Sequence, residues 1–326
     1  MLSVIFSTRN GARTLPSMLD ALERVRVPDG GWTIIAADNG STDGSREIIE
    51  ARRGRLPIHY VFEVRAGKSR AVNRALPLAK GDFVVFTDDD VIPEEDWLIK
   101  LVAAAEKPGY TGFGGKIIPH WQVEPPEWLT RLVPIGPVFA ITNPNLDARE
   151  VGPDALWGPN FALRAKVFKD GATFDETLGP DGSPTYRMGS ETSLLRQLSK
   201  QGHRFWFCPD AVVQHIVRPN QLDPEWILQR AFRLGRSLYH PEREARFGNA
   251  PMLFGVPRWR VGKYLRNALR YAVARVRADF DGAFAARWEL RLFEGYFFEK
   301  RQCAPPRPPS PTNALDAADR SLDRRA

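Results

Sequence analysis

Cysteine is nearly absent: two residues, Cys208 and Cys303, in a chain of 326. They lie too far apart for a metal-ligand or redox spacing, which excludes a disulfide scaffold and points to a reducing compartment. No apolar run reaches the ~20 residues of a membrane-spanning helix. The opening residues Met1-Leu2-Ser3-Val4-Ile5-Phe6-Ser7 lack a basic stretch and a small-residue cleavage site, so they read as a first strand. No GxGxxG follows that strand, which disfavours a dehydrogenase, and no P-loop spacing is present. The glycine-rich, lysine-terminated activation loop of a nucleotidyltransferase is missing, as is any repeat of solenoid length. These absences predict a soluble or peripheral protein in the cytoplasm.

What is present is an ordinary globular composition, 43% hydrophobic and 26% charged. The net charge is +7, which suits nucleic acid, an anionic membrane or a phosphorylated substrate. The placement of the charge separates these. Residues 1 to about 118 alternate strand runs (Leu2–Ser7, Trp32–Ala37, Ile58–Phe62, Phe83–Thr87, Phe113–Ile118) with helical stretches near 15–25, 44–53, 68–79 and 94–106. That alternation predicts βαβ units, an α/β fold and a mostly parallel central sheet.

The run Gly81 to Val91 carries the argument, because its apolar centre ends in Asp88, Asp89 and Asp90. Three carboxylates cannot enter a core unpaired, so they belong at the carboxyl edge of the sheet, where open α/β folds bind ligands. They form a divalent-metal site, or Asp90 caps a helix announced by Pro93, Glu94, Glu95 and Asp96. Asp38 closes another strand and can bond a base or ribose. Asn39-Gly40 makes a turn, and Ser41, Thr42 or Asp43 can cap the next helix. Lys68 and Arg70 follow Gly67 at a helix start, either as an anion site or as a solvated basic face.

From about 119 the pattern becomes irregular. Pro119-His120-Trp121 and Pro125-Pro126-Glu127-Trp128-Leu129 are expected to break regular structure and present aromatic faces, as a sugar wall or as core. Glu191 opens a helix that Ser190 or Thr192 can cap, and the helix dipole alone would favour an acid there. Ala211 to Val217 is a strand with His215 near its end. Asp223-Pro224-Glu225 starts a helix whose arginines, Arg233 and Arg236 among them, reach a diphosphate or a membrane. Between Val261 and Arg277, Val261, Leu265, Ala268, Leu269, Ala272 and Val276 share one helical face, with Lys263, Arg266, Arg270 and Arg277 opposite. The helix either docks by its apolar face with the basic face in water, or lies on an anionic membrane. From Ala304 the proline-rich tail is too polar to pack.

Taken in order, these motifs resemble family 2 glycosyltransferases of the GT-A fold. The likeness rests on Thr8 and Asn10, Asp38 to Ser45, Gly67 to Asn73, Phe86 to Asp90, Trp157-Gly158-Pro159-Asn160-Phe161-Ala162, Gly189-Ser190-Glu191-Thr192 and Val213-Gln214-His215. It covers roughly residues 1–240. The chain departs from the family in having Ser7-Thr8-Arg9-Asn10 for Pro-Thr-Tyr-Asn, and Ser190-Glu191 for Glu-Asp. The resemblance implies a nucleotide-sugar-binding half (1–118), an acceptor-binding half (119–220), a helical region (221–302) and a disordered tail (303–326).

The resemblance also implies an inverting transfer from a nucleoside-diphosphate sugar (UDP, GDP or dTDP) to a saccharide or lipid-linked saccharide hydroxyl, in cell-envelope polysaccharide assembly. Thr8, Asn10, Asp38, Lys68, Arg70, Asn73, Asp88 and Asp89 would hold the nucleotide. Asp90 and Asp88, joined by His215, would bind Mn2+ or Mg2+, a divalent cation. Gly115, Trp157 and Asn160 would line the sugar or acceptor, Arg233 and Arg236 the diphosphate. Glu191 would be the catalytic base, with Asp175 or Glu176 behind it. A membrane contact at the inner face is expected, and no nucleic acid. A nucleotidyltransferase or a non-catalytic nucleic-acid-binding protein is the alternative, but strand-end carboxylates repel phosphate unless a metal intervenes.

Overall fold

β-Branched and aromatic runs build the centre of the sheet, as their composition predicts. Strands β1 (Leu2–Thr8), β2 (Trp32–Asp38), β3 (Ile58–Phe62) and β4 (Phe83–Asp88) lie parallel in the order β3-β2-β1-β4. Helices α1 (Leu15–Leu22), α2 (Ser45–Glu50) and α3 (Lys68–Ala75) make the crossovers. Every residue of β1 is buried, as expected of a strand covered on both faces. The computed structural model describes residues 1–239, 250–253 and 256–303, so the expected tail from Ala304 lies outside it.

Beyond β4 the sheet changes direction. Strand β5 (Val91–Pro93) follows the acidic run, then α4 (Trp97–Ala105) and β6 (Gly112–Trp121). After α5 (Glu127–Leu132), α6 (Ile135–Phe139) and β7 (Arg149–Val151), β8 (Phe161–Arg164) enters antiparallel between β4 and β6. Helices α7 (Lys166–Lys169) and α8 (Ser190–Lys200) lead to β9 (Phe205–Val217), which pairs parallel with β6 and antiparallel with β5 and β7. The division expected at 118 falls inside β6, and strands from both sides of it share one sheet.

Three local expectations are corrected. Asp90 does not cap a helix: Val91–Pro93 pair with Val213–His215, and α4 begins only at Trp97. Pro119-His120-Trp121 does not break structure but continues β6, with Pro119 opposite His215. Neither Ser190 nor Thr192 caps α8. Gly189 does so in a left-handed conformation (φ 90°) that favours glycine. The tryptophans there serve packing: Trp121 meets Phe139 edge-on at 5.6 Å, and Trp128 lies 4.9 Å from Phe284.

The carboxyl-terminal region is helical. Asp223 caps α9 (Pro224–Leu238), accepting from the backbone N–H groups of Glu225 and Trp226. A short hairpin, β10 (Met252–Leu253) and β11 (Val256–Pro257), precedes α10 (Arg258–Val276) and α11 (Phe280–Gln302). Helix α11 packs closely on α9, since a β-carbon on Gly295 would stand 2.0 Å from the Phe232 carbonyl oxygen. Helix α10 docks on α11 with neither its apolar nor its basic face but with the side that carries Arg260, Tyr264, Asn267 and Ala274. Asn267 and Ala274 are buried, Tyr264 packs on Phe293 at 5.2 Å, and Leu265 and Leu269 face water. Among the described residues no helix is long and apolar enough to cross a membrane.

Candidate active site

Parallel register sets the ends of β1 and β4 side by side, Ser7 against Asp88, at the carboxyl edge of the sheet. A cleft of about 440 Å³ opens there. Of the residues expected at a site, it brings together Thr8, Asn10, Lys68, Asp88, Asp89, Asp90, Glu191, His215 and Arg233. They come from β1, α3, β4, α8, β9 and α9, far apart in sequence.

The acidic run divides by its partners. Thr8 donates its hydroxyl to Asp89, and the Lys68 ammonium hydrogen-bonds Asp88. Burial, then the charge of Asp90, pushes the Asp89 carboxyl above its usual range. Burial pushes Asp90 up as well, but His215, Arg218 and Lys68 outweigh it and hold that carboxyl below its usual range. Burial opposes the charge on Lys68, yet Asp88, Glu191 and Asp90 raise its pKa above that of an ordinary lysine. Lys68 therefore stays charged between the acidic run and Glu191.

His215 is oriented by the main chain. Its Nδ1 lies 2.6 Å from the Phe139 carbonyl oxygen, which can only accept, so Nδ1 carries a proton. Nε2 then faces Asp90 Oδ1 at 3.2 Å. An imidazole fixed by a carbonyl on one nitrogen, with a carboxylate beside the other, is the arrangement of a metal ligand pair. Among the described residues no three acidic, histidine or cysteine side chains already form a coordination cluster. Asp90 and His215 thus fit as two of the residues that would hold a divalent ion such as Mg2+ or Mn2+.

Glu191 stands in the first turn of α8, its Oε2 accepting from the Ser190 hydroxyl at 3.0 Å. A β-carbon on Gly158 would meet the Glu191 carboxylate at 3.6 Å and Asp88 Oδ2 at 3.9 Å. Gly158 therefore lies close to both acids on the cleft wall.

Seven expected site residues are not on the cleft wall. Asp38 is buried under it, its oxygens accepting from the Ser41 N–H and the Tyr60 hydroxyl at 2.8 Å each. Arg70 pairs with Glu176 at 3.3 Å in a separate depression. Asn73 exchanges two hydrogen bonds with the Phe174 backbone. Gly115 is a packing position, since a β-carbon there would strike Ala211 O at 2.2 Å. Trp157 packs against the core. Arg236 is bound to Glu299 at 2.6 Å. Asn160 is fully buried: it accepts from Trp97 Nε1 and donates to the carbonyls of Lys116 and Ala211. The fallback acids Asp175 and Glu176 do not line the cleft either.

Asn160→Ala would strand three buried polar groups, so the expected loss is about 3 kcal/mol of unfolding free energy in urea denaturation.

The turn Trp157-Gly158-Pro159-Asn160 reaches the cleft through Gly158 and Pro159, not through the Trp157 and Asn160 singled out from the sequence, and sequence reading missed Arg218, 3.9 Å from Asp90. It also missed Tyr186, whose ring lies under the Arg233 guanidinium at 4.5 Å. A basic residue three positions after His215 was the available signal for Arg218. Tyr186 sits in a glycine- and proline-rich loop with no periodicity to flag it.

Comparison with known proteins accords with this architecture. The model of the family described as "Glycosyl transferase family 2" matches residues 3–171. The succinoglycan biosynthesis protein ExoM of Rhizobium meliloti is 27% identical over 231 residues, 68% of this chain and 69% of that protein. A glucosyl-dolichyl phosphate glucuronosyltransferase of Haloferax volcanii is 25% identical, over 52% of this chain and 54% of its own. Among solved structures, the mannosyltransferase PcManGT from Pyrobaculum calidifontis, in complex with GDP-Man and Mn2+, superposes with a TM-score of 0.56. It is 19% identical and covers 91% of this chain and 87% of its own, a likeness of fold, here the GT-A fold. With just over half of its length matched by the family model, this chain belongs to glycosyl transferase family 2 and is a glycosyltransferase.

Proposed function

We propose that the protein transfers a sugar from a nucleoside diphosphate to a hydroxyl acceptor with inversion, Glu191 acting as the base. The observation that carries this reading is the convergence of Glu191 and Asp88 on the cleft wall, each within 4 Å of where a β-carbon on Gly158 would stand. Glu191 takes the proton of the acceptor hydroxyl as that oxygen attacks the anomeric carbon. The bond from that carbon to the diphosphate breaks on the opposite side, and the nucleoside diphosphate leaves with the electron pair. Neither a nucleophilic side chain nor a covalent intermediate is needed.

Lys68 holds one carboxylate of the acidic run and keeps positive charge where the leaving group develops negative charge. Thr8 and Asn10 border the nucleotide end, Asn10 accepting from the Thr42 N–H to hold the turn that Asp38 supports from below. Arg233 serves the diphosphate or the acceptor. Asp90 and His215 would hold a divalent cation, which supplies Lewis-acid neutralisation of the diphosphate. The acceptor is a saccharide or lipid-linked saccharide, and the setting polysaccharide assembly, in keeping with the name of the Rhizobium relative.

UDP, GDP or dTDP with Mn2+ is expected to raise Tm by several degrees, and the same nucleotide without metal by less. If no nucleoside diphosphate shifts the melting curve in the presence of Mn2+ or Mg2+, the donor-site reading fails.

A further inference from the structure

Apart from Val261, which packs on the cluster of Val256 and Tyr296, helix α10 turns its apolar face to water. Leu265 is 61% exposed, Leu269 67% and Val276 89%. Its inward face is the polar and aromatic one: Asn267 is buried, Arg260 lies over the Tyr296 ring at 4.1 Å, and Lys263 pairs with Glu289 of α11 at 2.7 Å. A surface helix held only by its own domain has the opposite order, and an exposed apolar stripe marks a contact with something else.

The charge around the stripe says what that is. Between Ala250 and Ala278 the sequence has seven basic residues and no acidic one. Arg266 and Arg270 flank the stripe, exposed, and make no ion pair among the described residues. A second copy of the chain docking face to face would set these cations against their own counterparts, since an isologous contact pairs a patch with itself. A surface that offers hydrocarbon at its centre and anionic groups around it satisfies both features.

We propose that α10 lies on an anionic lipid bilayer, its leucines and valines entering the boundary of headgroups and acyl chains while the arginines pair with lipid phosphates. The helix lies in the interface and does not cross it. This inference is independent of the chemistry proposed for the cleft.

Flotation of the full chain with vesicles tests it, using phosphatidylcholine alone and phosphatidylcholine mixed with phosphatidylglycerol. The protein is expected to float with the phosphatidylglycerol vesicles, to be released by salt, and to partition at least ~tenfold more weakly onto the neutral ones. Leu265→Ser with Leu269→Ser, and separately Arg266→Glu with Arg270→Glu, should each weaken flotation ~tenfold or more at unchanged Tm, because these side chains are exposed. Absence of flotation with anionic vesicles, or equal flotation of wild type and variants, overturns the proposal. A Tm several degrees lower in the serine variant also overturns it, since the stripe would then be covered by this chain. So does a wild-type dimer in sedimentation that the serine variant dissociates, which would make the occupant a second copy.

Discussion

Glu191→Gln is expected to lower the turnover of glycosyl transfer by about 10²–10⁴-fold, the usual contribution of a positioned general base. Donor binding should change by less than about threefold, because the substitution keeps the shape of the side chain and the proposed role is toward the acceptor. The fold should hold as well: α8 is capped by Gly189, not by a side chain, and the Glu191 carboxylate accepts a hydrogen bond from its neighbour Ser190. The measurement is a single-turnover rate with saturating donor, set beside the melting shift given by the same nucleotide. Turnover near the wild-type level with intact folding would remove Glu191 from the mechanism and leave the cleft without an assigned base, since Asp175 and Glu176 lie off its wall.

Asp90→Asn is expected to reduce kcat/KM by about 10²–10³-fold and to abolish the enhancement of nucleotide binding by Mn2+. The physical reason is local. Asp90 is the carboxylate that His215, Arg218 and Lys68 keep ionised against burial, so it is the one ready to meet a cation. The backbone frame does not depend on that side chain, because the Asp90 carbonyl accepts from the Ile216 N–H at 2.8 Å. Removing the charge also deprives His215 of its anionic partner and leaves burial to oppose the imidazolium, so the pKa of the imidazole should fall, which titration by NMR would read. Retained Mn2+ enhancement in Asp90→Asn would move the metal elsewhere. These two substitutions test different halves of one reaction, the first the acceptor's proton and the second the leaving diphosphate.

The residues that were legible share a property: their signal is local. Asp88 to Asp90 stand out because carboxylates end an apolar strand, and Lys68 because a cation follows a glycine at a helix start. Asn160 and Gly158 show where locality runs out. They sit two residues apart in one motif, and only Gly158 reaches the cleft. The difference lies in Trp97 Nε1 and the carbonyls of Lys116 and Ala211, which take up every polar atom of Asn160. None of those partners is near in sequence. His215 is a similar case, since its place beside Asp90 depends on the pairing of Val91 with His215 across β5 and β9.

The α/β alternation, the acidic strand end and the division of α10 into an apolar and a basic side follow from the sequence alone, because each is written in spacing along the chain, while the family was legible as a resemblance of motifs. Which members of a motif face the cleft, that β8 enters antiparallel, and that α10 turns its apolar side outward were decided only in three dimensions. Periodicity sorts side chains into faces but does not say which face is buried. That choice is made by the neighbour that can satisfy it, and for α10 the neighbour is α11, which offers Glu289, Phe293 and Tyr296 to a polar and aromatic surface.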